Sequence, residues 1–427
     1  MIETFLPADR VARSLTLSTM AFALSSGVFY TVSALYFTRV IGLEATTVGL
    51  GLGIAGGIGV LASYGAGWLS DRVGAHRVQP WAVGINGAAM LAYTLAGNAL
   101  VFTLVACVAV AMRSVQATAK QAMLARWYTG PERVAVRARM RVVTNVFIGL
   151  GTVVAAAALL VDTAAAYQAA MLSVGVLLLV ATVPLVRLPH AVPALAEAMA
   201  ERVEEASEPG APAERGPSPW RDRTYLASVV CNGVVALHFG LQTVGVPLWI
   251  ATTEAPTAMV SVLLVLNTVV VAGLQVRASR GTHDVRRAGI AVRRGSWLLA
   301  GACVAYALAG YGDVATACVL LVLAALVHGL GEILGEAGGW GMAFELADPR
   351  RAGAYQGLTQ TGYAVAAMLS PVLVTATALQ HGTIGWIVLG ALFAAAGTAA
   401  AWVARRAAAR RAGTSDEVSV TAGTLTA

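Results

Sequence analysis

Four polar side chains stand in two pairs inside long apolar runs of the sequence. Arg113 precedes Gln116 by three residues, and His328 precedes Glu332 by four. On a helix, residues three or four apart lie on the same face. A carboxylate in an apolar medium is hard to ionise, and a histidine changes its charge near neutral pH. The second pair is therefore suited to binding and releasing a proton, and we expect Glu332 to be the main titrating group.

Both pairs also have a structural interpretation. A charged arginine inside a membrane helix costs about 2.5–3.5 kcal/mol on insertion. Arg113 should therefore face a polar cavity, or else reach towards the membrane surface from the end of its run. Glu332 could equally be a structural acid that is paired with Arg113. The residues alone leave these alternatives open.

The elements that hold these residues are twelve apolar runs, each long enough to cross a membrane. A helix needs about 20 apolar residues to cross a hydrocarbon core of ~30 Å. We place the runs at 14–38, 46–69, 78–97, 99–120, 141–161, 166–186, 224–250, 257–278, 290–310, 314–338, 353–378 and 382–404. The sequence therefore predicts an all-α membrane protein with 12 transmembrane helices and with both termini on the same side.

Composition and charge agree with this fold class. Hydrophobic residues make up 58% of the chain and charged residues 12%, whereas soluble domains carry about 25% charged residues. If the N-terminus is cytoplasmic, 27 of the 29 basic residues fall on the cytoplasmic side. The positive-inside rule explains this asymmetry, so the net charge of +7 reports topology and predicts no nucleic-acid partner.

The chain divides into two halves of six runs each. We predict an N-terminal bundle over 1–188, a cytoplasmic linker rich in Pro and Gly over 189–222, a C-terminal bundle over 223–406 and a disordered cytoplasmic tail over 407–427. Because 28 of the 29 basic residues are arginine and Ala, Gly and Val are abundant, we expect a bacterial protein of the cytoplasmic membrane. Duplicated six-helix halves are typical of transporters.

The most specific motif lies in the short polar turn between the second and third runs. Its residues are Gly67, Leu69, Asp71, Arg72, Gly74 and Arg77. Their spacing resembles the G-x-L-x-D-R-x-G-x-[RK]-[RK] signature of the major facilitator superfamily, which occupies the same turn. The chain departs from that signature at His76, where an arginine or lysine is usual. The resemblance covers about residues 10–406 and implies two pseudo-symmetric six-helix bundles with alternating access.

The resemblance also implies roles for particular residues. Asp71 would contact the start of span eleven and hold the cytoplasmic face shut. The possible partners in this gate are Glu132, Arg350 and Arg351, with Arg77 expected to pair with Glu132. Spans one, four, seven and ten would line a central cavity, with Arg113 and Glu332 facing it from opposite halves. Further cavity-lining candidates in span seven are Asn232, His238 and Gln242.

A proton-driven exporter is the function that the resemblance favours. Arg113 and Gln116 resemble the fourth-span motif of proton-coupled drug antiporters, although Ala117 replaces its usual glycine. Span five lacks the proline of the antiporter motif, and span one lacks an acid. We therefore expect export of small hydrophobic molecules in exchange for protons. The alternatives are an uptake symporter for a small metabolite and, less favoured, a non-transporting membrane sensor.

The sequence predicts neither an enzyme nor a metal site. It contains no phosphate-binding loop of the Walker type, so ATP is not the expected energy source, and no catalytic grouping rises above chance. We expect a monomer without cofactor, driven by the proton motive force. Its expected partners are a small-molecule substrate, protons and the lipid bilayer.

Overall fold

The computed structural model describes residues 5–199 and 218–424, with side chains described as far as residue 411. Within these residues the regular structure is helical throughout, with no strand. The twelve long helices are α1 Arg10–Leu35, α2 Ala45–Leu69, α3 Ala75–Ala92, α4 Ala99–Trp127, α5 Pro131–Val161, α6 Ala164–Ala191, α7 Arg223–Ala236, α8 Met259–Ala278, α9 Val285–Ala309, α10 Val314–Glu345, α11 Ala352–Val374 and α12 Gln380–Thr424. Each predicted span overlaps one of them, and the predicted all-α fold is confirmed.

Side-chain caps fix where many of these helices begin. A helix leaves its first backbone N–H groups without intrahelical acceptors, and Asp, Asn or Thr before the first turn can accept from them. Six helices begin this way, at Asp9, Asn98, Thr163, Asp222, Asp284 and Asp313. Pro131 opens α5, where its missing N–H costs no hydrogen bond. Local chemistry thus sets half of the helix starts.

Four helices end in, or are continued by, a single wider turn of π-helix. These turns are Tyr36–Val40, Ser70–Gly74, Leu241–Gly245 and Thr375–Leu379. Such turns are rare and often occur at functional sites. The second coincides with the polar turn that carries the sequence motif. It ends at Gly74, whose φ of 92° lies in a region that favours glycine.

Within the described residues, nine segments are long and apolar enough to cross a membrane. Two of them, Ala45–Leu95 and Pro349–Arg411, span 51 and 63 residues and each contain two of the twelve helices. Helix α9 is not among the nine, and it carries four arginines in its first ten residues. The chain is a multi-pass membrane protein.

The chain forms two compact units. Unit 1 comprises residues up to Ser218 together with Val271–Val276 of α8 and the stretch Asp348–Met368, which includes the first part of α11. Unit 2 comprises Pro219–Val270, Arg277–Ala347 and the chain from Leu369 onwards. The predicted division into bundles at 1–188 and 223–406 stays a prediction.

Two stretches outside the predicted spans contain helix. In the predicted linker, residues 193–199 are helical, and 200–217 lie outside the described residues. The last helix continues to Thr424, through most of the predicted disordered tail over 407–427. Alanine and arginine are strong helix formers, and they make up the sequence 404–412. Residues 425–427 lie outside the described part.

Close backbone contacts hold the helices of each unit together. In unit 1, a Cβ at Gly27 of α1 or at Gly151 of α5 would collide with the backbone of the other helix. In unit 2, a Cβ at Gly295 of α9 would come within 2.6 Å of the Gly331 carbonyl oxygen on α10. Small residues at such crossings let membrane helices approach closely. These tight pairs position the polar residues described next.

Candidate functional site

Asp71 lies in the π-turn after α2 and accepts hydrogen bonds from the start of α11. The amide of Gly353 donates to its Oδ1 atom and the amide of Ala354 to its Oδ2 atom, both at 2.8 Å. The first turn of a helix offers unsatisfied N–H groups and a positive dipole end, which together favour an anion. The carboxylate therefore joins residues 282 and 283 positions apart, all within unit 1.

Arg126, in the last turn of α4, supplies the cation for Asp71. Its Nη2 atom lies 2.5 Å from the Asp71 Oδ1 atom, and the two side chains are 8% and 16% exposed. Burial raises the pKa of Asp71, while the charge of Arg126 and the amides of Ala354 and Gly353 act in the opposite direction. With three donors on one carboxylate, the charge is compensated although it lies largely out of water.

Glycines allow this contact to form. A Cβ added to Gly67 would collide with the carbonyl oxygen of Gly353, and one added to Gly353 would come within 2.5 Å of the Asp71 Oδ1 atom. A Cβ on Gly357 would meet the Gly67 Cα atom at 3.0 Å. The end of α2 and the start of α11 therefore touch backbone to backbone, which explains the first glycine of the motif.

The other gate candidates lie around this contact. Arg72 stacks on Trp68, with its guanidinium carbon 3.9 Å from the ring centroid. Arg351 is close enough to Asp71 for its charge to act on the carboxylate. The remaining three, Arg77, Glu132 and Arg350, are exposed, and so is Leu69 at 37%. The Arg350 amide donates to the side chain of Asp348, which caps the 3₁₀ turn Pro349–Arg351 just before α11.

Arg113 projects from α4 towards aromatic side chains of α1. It donates a hydrogen bond to the hydroxyl of Tyr30. Its guanidinium carbon lies 5.1 Å from the Tyr30 ring centroid and 5.6 Å from that of Phe22. A cation over an aromatic face is stabilised by the ring quadrupole. Gln116, on the next turn, is buried.

A second polar cluster lies in unit 2, where the structure brings His238, His328 and Glu332 together. All three side chains are buried, and one ligand-type atom from each lies within 4.8 Å of the others. The Nε2 atom of His328 is 3.3 Å from the Nδ1 atom of His238. Two imidazoles and a carboxylate could share a proton, and they are also donor types that a divalent transition metal accepts. The sequence predicted no metal site and did not place His238 with the other two.

A cavity adjoins this cluster. It is lined by Gln242, Tyr306 and His328 and by apolar side chains of the short helix Val246–Ile250, of α8 and of α10. Of the other candidates, Asn232 donates to the Ser228 carbonyl at 2.8 Å within its own helix. A further acid, Glu336, is buried one turn beyond Glu332. Gln242 therefore lines this cavity, and His238 contacts His328, which also lines it. The Asn232 amide, in contrast, is used within α7.

Arg113 belongs to unit 1, whereas His328 and Glu332 belong to unit 2. The prediction that Arg113 and Glu332 face one cavity stays a prediction.

The family model of the Major Facilitator Superfamily matches residues 15–371. The chain belongs to this superfamily. Members of the superfamily are membrane transporters, and this protein is a membrane transporter. The predicted membership is confirmed. No curated protein sequence matches the chain significantly.

Solved structures of other superfamily transporters have the same fold. A bacterial homologue of the iron transporter ferroportin in its outward-facing state is 14% identical, with a TM-score of 0.71 over 93% of this chain and 99% of that one. The human organic anion transporter MFSD10 is 14% identical, with a TM-score of 0.64 over 92% and 99%. The proton:xylose symporter XylE is 13% identical, with a TM-score of 0.65 over 91% and 94%. At these identities the likeness concerns the fold.

Arg126 is the residue of the Asp71 contact that sequence reasoning missed in this transporter. Its signal in the sequence is weak, because a basic residue in the last turn of a helix is common and stabilises the helix dipole. The motif predicted that Asp71 needs a cation, but 55 residues separate it from Arg126. Only the packing of α4 beside the turn brings the two together.

Proposed function

We propose that this transporter exports small hydrophobic molecules in exchange for protons, by alternating access. The observation that carries the proposal is the contact of Asp71 with Arg126 and with the amides of Gly353 and Ala354. It joins a turn of the first six helices to the start of the eleventh. In the proposed cycle this contact forms when the cytoplasmic side is shut and breaks when that side opens.

The contact of Asp71 with Arg126 and with the start of α11 is the proposed latch, and its chemistry suits a contact that must open and close. Hydrogen bonds to a charged group contribute about 1.5–3 kcal/mol each. Two amides and one arginine therefore stabilise the shut arrangement by an amount that the differential affinity of substrate and proton for the two states can offset. Because the donors are backbone groups and one buried arginine, the latch re-forms in the same register each time.

Glu332 is the proposed proton carrier. It is fully buried, and His328 stands one turn before it on the same helix. The two histidines beside the carboxylate offer a short path for a proton, because His328 and His238 approach to 3.3 Å. In the proposed exchange, Glu332 takes up a proton from outside and releases it to the cytoplasm, while the substrate moves outwards.

The side chains around the unit 2 cavity and around Arg113 indicate the class of substrate. Apolar residues form most of the unit 2 cavity, and Phe22 and Tyr30 flank Arg113. The structural neighbours are named for organic anions, for xylose with protons and for iron, so the likeness in fold does not select one substrate. We propose small molecules with a flat apolar body.

Inverted membrane vesicles test this proposal. Respiration acidifies their interior, and an exporter then dissipates the pH gradient when a neutral, anionic or cationic naphthalene derivative is added. We expect this dissipation with the wild type and not with Glu332→Gln. Glu336→Gln, one turn away, is the matched control and should still dissipate the gradient. Because the donor types of the Glu332 cluster could also accept a metal ion, EDTA is added as a second control and should leave proton exchange by the wild type unchanged.

The alternatives give different results in the same vesicles. An uptake symporter of the usual orientation would not accumulate the probe, and a sensor would show no flux. Full proton exchange in Glu332→Gln would contradict the role of this carboxylate.

A further inference from the structure

Two histidines and one glutamate bring three possible metal ligands together inside unit 2. His238 and His328 are each 1% exposed and Glu332 is 0% exposed, and one ligand-type atom from each lies within 4.8 Å of the others. In the described part of the chain, no other three His, Cys, Asp or Glu side chains come together in this way. Buried ionisable side chains are usually paired with one another or coordinate a metal ion. The cluster is therefore a candidate site for one small cation.

The distance between the two histidines is that of two ligands on one ion. The Nε2 atom of His328 lies 3.3 Å from the Nδ1 atom of His238. Zinc binds imidazole nitrogen at about 2.0–2.1 Å in tetrahedral geometry, which places two such nitrogens about 3.3–3.4 Å apart. A hydrogen bond between the two rings has a similar length. A measurement of metal binding is therefore needed to separate the two arrangements.

Glu332 and the local shape of the chain complete the set of ligands. His328 and Glu332 are four residues apart on α10, the spacing at which two ligands on one helix hold the same zinc ion. His238 follows α7 in the single helical turn His238–Gly240, and the π-turn Leu241–Gly245 comes next. Two histidines, one glutamate and an open fourth position are a known set of zinc ligands. The adjoining cavity, which His328 also lines, has room for a water molecule in that position.

We propose that His238, His328 and Glu332 bind a divalent transition-metal ion, and zinc is the ion that fits this ligand set best. A metal ion bound there occupies the carboxylate that the proposed exchange uses to carry its proton. Zinc at the cluster therefore blocks proton exchange. This consequence rests on the proposed function, whereas the metal site itself does not. The ion acts as an inhibitor and is not required for transport.

Zinc binding to the full-length protein tests the site directly. The untagged protein is placed in nanodiscs of phosphatidylcholine, freed of metal with a chelator, and titrated with zinc by calorimetry against empty nanodiscs. We expect a zinc site that His238→Gln and Glu332→Gln each weaken at least about tenfold, because even the outer partners of metal ligands change the affinity by that factor. Magnesium prefers octahedral oxygen ligands, so it should not bind there.

A histidine outside the cluster provides the matched control. His381 is exposed, and its Nδ1 atom lies 2.9 Å from the Ala376 carbonyl oxygen. His381→Gln should therefore bind zinc at the cluster as the wild type does. Equal zinc affinities in the wild type, His238→Gln and Glu332→Gln would overturn the site, because the bound zinc would then be held elsewhere.

X-ray absorption of the zinc-loaded wild type keeps the test decisive if a variant does not fold. We expect four-coordinate zinc with two imidazole nitrogens at about 2.0–2.1 Å. Coordination by oxygen alone, or by a single imidazole, would contradict the assignment of both histidines as ligands.

Proteoliposomes with an imposed pH gradient test the effect of zinc on exchange in the absence of the respiratory chain. We expect the exchange driven by the naphthalene derivative to fall about tenfold at a zinc concentration ten times the Kd. EDTA should restore it, and magnesium should have no effect. Zinc binding at the cluster without loss of exchange would contradict the role of Glu332 as the proton carrier alone. Proton exchange by a wild type that binds no zinc at the cluster would contradict the metal site alone.

Discussion

The contribution of the Asp71 carboxylate to stability can be compared with that of a second ion pair in the same unit, between Asp162 and Arg39. Asp71 and Arg126 are 16% and 8% exposed, whereas Asp162 and Arg39 are 56% and 61% exposed. Charged hydrogen bonds that are largely buried contribute more than exposed pairs, whose median contribution is about 0–1 kcal/mol. The exposed pair of Asp162 and Arg39 is therefore a suitable control for the largely buried pair of Asp71 and Arg126.

We expect Asp71→Asn to lower the free energy of unfolding by about 1.5–3 kcal/mol, because the ion pair with Arg126 is lost while one amide can still donate to the new side chain. Asp162→Asn should lower it by less than about 1 kcal/mol. Unfolding in mixed detergent micelles with increasing dodecyl sulfate measures both. Equal losses in the two variants would contradict the view that the Asp71 contact is the stronger one.

Individual residues differ in how well the sequence predicts their surroundings. The motif singles out Asp71 because an acid near a helix C-terminus is unfavourable and needs a compensating group. Its partner Arg126 and the pairing of His238 with His328 depend on contacts between helices that are far apart in sequence. Such contacts have no local signature, since a lone histidine or arginine in an apolar run fits many neighbours.

At the scale of the helices, the latch requires α2 and α11 to cross closely enough for their backbones to touch. Gly67 lies at this crossing, and Gly65 lies in the same helix with nothing within 4 Å of an added Cβ. We expect Gly67→Ala to separate the helices and reduce transport at least about tenfold, as misplacement of a contact by an ångström can do. Gly65→Ala should transport normally.

Transport by both glycine variants is measured at matched protein abundance, as the dissipation of the pH gradient in inverted vesicles when the naphthalene derivative is added. Normal transport by Gly67→Ala would contradict the need for a backbone contact between α2 and α11. If Gly65→Ala were equally impaired, helix propensity rather than the crossing would explain the loss.

Helices were predictable to within a few residues where local chemistry sets their ends. Predicted span 314–338 begins where α10 begins, at the Asp313 cap. The spans at 141–161 and 314–338 are shorter than α5 and α10, because hydropathy marks the apolar part of a helix and not its polar continuation. The π-turns were not predicted, since one extra residue in a turn leaves the apolar pattern almost unchanged.

At the scale of the whole molecule, twelve helices and superfamily membership followed from hydropathy and from one motif. The two compact units did not follow from them, because residues 271–276 and 348–368 join unit 1 although they lie in the second half of the sequence. Asp71 shows why such an exchange arises, since it accepts hydrogen bonds from two amides at the start of α11. Contacts between distant segments, rather than order along the chain, define the units.

Alternating access requires the contact between the turn and α11 to open and close. Spin labels at Val73 and Arg350, both exposed and both in unit 1, would report on it without touching Asp71. The four native cysteines, Cys107, Cys231, Cys303 and Cys318, are first replaced by alanine, and the labelled protein is checked for transport.

The distance distribution between these two labels, measured by pulsed electron resonance in nanodiscs, is the most direct test of the account. We expect a short and a long population in the labelled protein, with Asp71→Asn shifting the distribution towards the long distance. We expect Asp162→Asn to leave the distribution unchanged. A single short distance that is the same with and without the Asp71 carboxylate would contradict the latch.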